Sequence, residues 1–328
     1  MKFNILGIAA AAFVAGAALT SQAQAETSIR ALAAWPTSLT QVNAIFHVFE
    51  DNVTKASGGE IKFENNGPEV VPPFEQFQPL SAGVFDMVFS AANYHQSDTG
   101  VGVVIDLLKD LKQARESGVM DYINDYYRKN FDIEVLAVVF TSKSQITLRE
   151  PLTEGSGLAG RKIKSGPLYD GVLRAVGAVP VAMNPYDAYA AMEKGTIDGI
   201  AFPMHVAADL KLYEVSKYMT RPGFGQSSIV LMVNASKFAA LPEGLQSIIR
   251  EQALKMEEEG TRLMQKLGED QSAIMQQNGV AIAELSPEVA KTIEDAFGAG
   301  AKEIARKSAT AAVDALLEFA TQKGALKY

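Results

Sequence analysis

The chain of 328 residues contains no cysteine, one tryptophan and three histidines. Without cysteine no disulfide can staple the fold, so a hydrophobic core must hold it together. The same absence excludes a thiolate nucleophile and a lipid tether on an N-terminal cysteine. The histidines, His47, His95 and His205, are scattered, and none has a second histidine or a carboxylate at metal-ligand spacing. His47 falls in an apolar helical stretch and reads as structural. No P-loop, no G-x-S-x-G and no G-x-G-x-x-G stands in a strand-turn-helix context. No nucleophile has a base beside it in sequence. These absences place an exported enzyme last among the function classes, and no cofactor and no metal are expected.

Basic residues are also in deficit. The formal charge is -8, from 30 basic and 38 acidic side chains. Such a surface argues against nucleic acid or anionic lipid as a partner. Long apolar runs are missing after the first residues. Met1 and Lys2 open the chain, Ile5 to Leu19 is apolar, and Ala23-Gln24-Ala25 precedes Glu26. That is the tripartite pattern of a secretory signal peptide, 1–25, with an apolar stretch too short to span a bilayer. Cleavage removes only Lys2 among charged residues, leaving 29 basic against 38 acidic, or -9. A soluble protein of the periplasm is expected. Its roughly 300 residues suffice for two domains.

What is present alternates. Thr27 to Ala34 reads as a strand, and Thr37 to Ala56 as a helix stopped by Gly58-Gly59. Glu60 to Glu64 reads as a strand, Pro73 to Ala82 as a short helix, Val84 to Ser90 as a buried strand. Ile133 to Phe140 and Gln145 to Arg149 are strand-like. A second unit follows, with strands at Lys162 to Ser165, Ala178 to Ala182 and Ile197 to Phe202. Its helices span Tyr169 to Val176 and Pro185 to Glu193. Ser228 to Val233 is an apolar run able to return the chain to the first unit. Pro242 to Gln277 is a helix of about 50 Å if unbroken, with Gly260 and Gly268 as expected bends. Ser286-Pro287 opens another, running to about Gln322, with Ser as N-cap and Pro in the first turn. The expectation is an α/β fold with two lobes and mostly parallel sheets. Long C-terminal helices brace both lobes. The lobes are placed at 26–142 plus about 235–279 and at 143–234 plus about 280–328. No linker separates them, so several chain crossings and a ligand in the cleft are expected.

One stretch is specific. Leu158-Ala159-Gly160-Arg161-Lys162-Ile163-Lys164 is followed by Val176-Gly177-Ala178-Val179-Pro180-Val181. Tyr186-Asp187-Ala188-Tyr189-Ala190-Ala191-Met192-Glu193-Lys194-Gly195-Thr196-Ile197-Asp198-Gly199 comes next. Upstream stand Gly58-Gly59-Glu60-Ile61-Lys62 and Ala82-Gly83-Val84-Phe85-Asp86-Met87. In this order and spacing they resemble the DctP-type substrate-binding subunits of TRAP transporters, over essentially the whole mature chain. The resemblance implies a two-lobed receptor that closes on a small solute, usually an organic acid. It also implies delivery to two membrane subunits and no chemistry, with a monomer as the usual form. An ABC-type binding protein shares the clamshell outline, but the two long C-terminal helices and the central segment favour TRAP.

Three anchors depart from the family pattern. The arginine ending L-x-G-x-K-I-R is Lys164 here. A second arginine, about twenty residues earlier, aligns with Lys143. The asparagine three residues beyond the D-G pair aligns with Phe202. Lysine is a point charge without the planar fork of arginine, and Phe202 offers a ring in place of an amide. Trp35, Phe74 and Tyr94 fall near pocket positions of relatives. Arg149 and Arg161 are nearby substitutes for the missing forks. A small organic anion is therefore expected, with an amine or aromatic solute as the competing ligand.

Overall fold

The computed structural model describes residues 26–152, 157–183 and 187–328. The expected signal peptide lies outside them. Among the described residues eleven strands are formed: β1 Thr27–Ala33, β2 Ile61–Asn66, β3 Met87–Ala91, β4 Ile133–Phe140, β5 Ser144–Leu148, β6 Lys162–Ser165, β7 Val179–Ala182, β8 Gly199–Pro203, β9 Tyr218–Arg221, β10 Ser228–Asn234 and β11 Ala281–Glu284. They make two sheets, ordered β2-β1-β3-β10-β4 and β11-β9-β5-β8-β6-β7. Both are mixed. β1 to β3 are parallel neighbours, as are β8-β6-β7 and β11-β9. The antiparallel ladders gather around β10 and β5, the strands that carry the chain between sheets. The strand Ser228–Asn234 sits inside the first sheet, so the chain returns there at 228 and not at 235.

Three apolar clusters hold this frame. One face of the first sheet buries Ile29, Phe46, Phe49, Leu231 and Val139 under the helix Glu243–Gln277. One face of the second sheet buries Ile200, Met204 and Met219 with Met275, near the end of the same helix. The third cluster is shared. Val138 of β4, Ile146 of β5, Ile163 of β6 and Phe297 belong to it together.

The helix Glu243–Gln277 runs without interruption for 35 residues, some 52 Å at about 1.5 Å per residue. Gly260 and Gly268 do not break it, and they serve close approach. A Cβ on Gly260 would sit 2.9 Å from Cγ2 of Val139, and one on Gly268 would sit 2.5 Å from Cβ of Ser142, at the crossover from β4 to β5. Gly268→Ala is expected to cost about 1–3 kcal/mol by overpacking, read as a lowered urea midpoint with an unchanged slope.

The last helix departs from the sequence reading. It is two helices, Pro287–Ala305 and Thr310–Gln322, broken at Ala309, whose φ of 55° is left-handed. The expected start is present: the Ser286 hydroxyl accepts from Val289 N, and Pro287 stands in the first turn. The first helix packs on both Pro167–Ala175 and Val101–Ile105, and after the break the second packs on Val101–Ile105 and Val119–Phe131. The helix expected from Pro185 is described from Ala188 to Glu193; Pro185 itself lies outside the described residues.

β4 is an edge strand yet wholly buried. Its outward polar groups need partners, because an orphaned backbone group in a core costs as much as a lost hydrogen bond. A bulge between the Leu231 and Met232 pairings leaves Leu136 as the extra residue. The Arg115 guanidinium donates to Leu136 O at 3.1 Å, and Val138 N donates to Glu257 at 2.8 Å. Arg115 and Glu257 close on each other in a two-toothed pair at 2.6 and 2.5 Å. The Asn124 amide pairs with both Val135 N and Val135 O, and Phe140 N donates to Thr261. Side chains thus replace the missing neighbour strand.

Candidate functional site

The second lobe presents a face on which β5, β8 and β6 are in register. Gln145 pairs with Phe202, Thr147 with Ile200, and Ile200 with Lys164, so these side chains share one side of the sheet. Lys164 is 4% exposed, unlike a surface lysine. Its Nζ lies 4.5 Å from the centroid of the Phe202 ring. Among the described residues its ammonium has no hydrogen-bond acceptor and no carboxylate partner. Burial pushes its pKa down to about 8 from 10.5. The ring face offsets part of that cost by cation–π attraction, about 2 kcal/mol when desolvated.

The first lobe contributes an aromatic wall where β1 ends. Tyr94 lies 5.7 Å from Trp35 and 4.5 Å from Phe74, and Trp35 stands edge-on to Phe89 at 5.8 Å. Phe74 is 51% exposed, which is unusual for so large an apolar ring and leaves it free to meet a ligand.

Of the six residues expected from sequence, then, Lys164 and Phe202 touch each other, and Trp35, Phe74 and Tyr94 form one cluster. Lys143 lies two residues before Gln145, and both side chains flank Gly223. It is exposed and lines a cavity of about 530 Å³ with Arg221, Pro222, Gly223, Gln276, Ile282 and Glu284, none of which is among the other five. The reason is local: Lys143 precedes β5, so it escapes the cover that buries its neighbour Ser144. The two arginines expected as substitutes have other tasks. Arg161 donates to the carbonyls of Glu150 and Pro151, and Arg149 packs against Gly195.

Sequence reading missed the groups that join the lobes. Thr40 donates through its backbone N and its hydroxyl to Asp209, at 2.9 and 3.0 Å, so a carboxylate of the second lobe caps a helix of the first. Gln271 holds Asp209 from the long helix at 2.8 Å. His205 Nε2 donates to the Gln41 carbonyl oxygen at 2.6 Å, and its Nδ1 accepts from the Ser142 hydroxyl at 3.1 Å. Burial holds the His205 pKa near 3, so the ring is neutral. His95 is likewise a core residue: it stacks on Phe77 at 4.5 Å, meets the Tyr127 hydroxyl at 2.5 Å, and burial holds its pKa at about 3. No short motif marks such contacts, because the partners lie 62 to 169 residues apart.

Two sheets joined by several chain crossings, with a buried lysine over a ring on one and an aromatic cluster on the other, suit a solute receptor. A family model for bacterial extracellular solute-binding proteins, family 7, matches residues 33–308. The chain belongs to this family, DctP. It is a solute-binding protein and not an enzyme. Among curated relatives, the 2,3-diketo-L-gulonate-binding periplasmic protein YiaO of Escherichia coli is 24% identical over 322 residues, covering 93% of this chain and 95% of the relative. An uncharacterized protein of Haemophilus influenzae is 28% identical over 207 residues, 61% of this chain and 56% of its own length. Solved structures agree on the fold. A TRAP periplasmic solute-binding protein of Desulfovibrio salexigens with bound orotic acid matches with TM-score 0.77 at 17% identity, over 90% of this chain and 98% of that one. One from Rhodoferax ferrireducens with bound malonate matches with TM-score 0.76 at 21% identity, over 90% and 98%.

The DctP motifs turn out to hold strands in place. Asp198 accepts from Lys162 N at 2.7 Å, fixing β6 beside β8, while a Cβ on Gly199 would lie 2.5 Å from Thr147 O. Asp86 accepts from Arg30 N at 2.8 Å, fixing β3 beside β1, and its carboxyl stays below the usual range because the Arg30 and Lys237 bonds outweigh its burial. Among the described residues no cluster of metal-binding side chains occurs, and no helix is long and apolar enough to cross a membrane.

Proposed function

We propose that this DctP-family protein is exported to the periplasm through residues 1–25, captures a small organic acid between its lobes and hands it to the membrane subunits of a TRAP-type transporter. The observation that carries the acid is the buried Lys164 ammonium, which has a ring beside it and no counter-ion. An acid entering the cleft would supply the missing charge and lift the cost of burying the cation. The same geometry disfavours an amine, because Lys164 already occupies the Phe202 face that a cation would seek. Orotic acid, malonate and, in a marine metagenome protein described as specific for aromatic acids, metahydroxyphenylacetate are bound by proteins of this fold. The aromatic wall of Trp35, Phe74 and Tyr94 supports an acid with a flat or apolar body.

Thermal unfolding of residues 26–328 against acids, amines and neutral rings tests the class. A ligand of the folded state adds about 2.7 kcal/mol at a hundredfold excess over Kd. Hits among amines alone would sink the acid reading. Acid binding is also expected to be proton-linked. Below pH 8 Lys164 is charged in the free protein and affinity is flat; above it each pH unit weakens binding up to about tenfold, until the raised pKa of the complex is reached. Calorimetry at pH 7, 8, 9 and 10 reads this directly, and an unchanged Kd to pH 10 would remove Lys164 from the site.

A further inference from the structure

Gln145 is buried to 5% exposure, and its amide carbonyl oxygen is sealed from solvent with no hydrogen-bond partner. Buried polar groups are almost always paired, so each exception asks for a cause. Its surroundings sharpen the point. Thr147 on the same strand face bonds Ile200 O, Ser144 bonds the Tyr169 hydroxyl, and Ser142 bonds His205. Other described residues with a sealed, unpaired oxygen have different settings. Gln76 already donates to Ala33 O and Val71 O, Glu50 accepts from Asn65, and the Ser216 hydroxyl lies at the end of the helix Leu212–Val215, outside the strands of this face. Gln145 stands directly opposite Phe202 in the β5–β8 ladder, on the sheet face from which Lys164 reaches over the same ring. Among the described residues, one unpaired cationic donor lies over the Phe202 ring, and one unpaired neutral acceptor belongs to the residue paired with Phe202 across the ladder.

The geometry points to Gln145 as a specificity-determining residue that accepts a hydrogen bond from a hydroxyl or N–H of the ligand, so that the solute is an acid bearing a donor near its carboxylate. This rests on the acid reading of Lys164 and adds to it. The carboxylate meets Lys164, the donor meets Gln145, and the body of the solute lies toward Phe202. An acid without the donor leaves the Gln145 oxygen as orphaned as it is in the free protein, so it gains nothing there.

The test uses paired probes that differ by one hydroxyl: lactate with propionate, and mandelate with phenylacetate. Wild-type protein is expected to bind the hydroxy acid of at least one pair about tenfold more tightly than its partner. Gln145→Leu, checked for folding by its thermal melt, should bring that ratio to about one while leaving the Kd of the deoxy acid within about twofold. Gln145→Glu places a carboxylate beside Lys164 and should weaken both acids of a pair together. A wild-type ratio of one in both pairs, or a ratio that survives Gln145→Leu, overturns the role of Gln145 and leaves the acid reading intact. Failure of all four acids to bind, with amines binding instead, overturns both.

Discussion

Lys164→Met is expected to make the free protein more stable and at the same time deprive it of its ligand. Methionine keeps the length and apolar stem of the side chain and removes the charge. A pKa drop from 10.5 to about 8 means that folding with the charged ammonium inside costs about 3 kcal/mol at neutral pH. The sign follows from proton counts. Between pH 8 and 10.5 the unfolded chain holds the proton that the folded chain has released, so stability rises with pH through that window. Below it the full penalty applies. The methionine variant has no such penalty, and its free form should gain about 1–3 kcal/mol in urea at pH 7, with the pH dependence above 8 gone. Acid binding should fall by roughly two orders of magnitude or more, as truncating a buried charge partner costs about 2–5 kcal/mol. A variant that is both less stable and still able to bind would show that Lys164 is an ordinary packing residue.

Glu257→Ala should cost about 3–5 kcal/mol, the range for breaking a buried ion pair. Three losses coincide. Arg115 loses its counter-ion, Val138 N loses its acceptor in the bulged edge of β4, and the long helix loses its polar attachment to the first sheet. Glu257→Gln keeps an acceptor for Val138 N and should cost about half as much. Equilibrium urea unfolding measures both. Because β4 leads straight into the crossover at Ser142, the alanine variant is also expected to loosen the Ser142–His205–Gln41 contact between lobes. Faster amide exchange at His205 would report it.

The candidate site was half legible. Lys164 and Phe202 were found by their place in the motif, and the structure joins them. Lys143 was picked by the same counting; it is exposed and flanks Gly223 together with Gln145. Gln145, two residues on, had no sequence signal at all. Glutamine is common and uncharged, and only its register opposite Phe202 and its missing partner single it out. Gly260 and Gly268 were singled out for their low helix propensity, while their close approach to Val139 and Ser142 had no local signal.

The sequence by itself determined most of the strands, the absence of disulfides, the length of the helix 243–277 and the family motifs. These are local: they depend on periodicity, caps and residue types a few positions apart. Tertiary structure alone decided which face each strand buries, how the free edge of β4 is satisfied, where the final helix breaks and which side chains cross between lobes. Those outcomes pair residues tens to hundreds of positions apart. Their energy comes from burial and from satisfying polar groups once the chain is packed, and no local pattern encodes that.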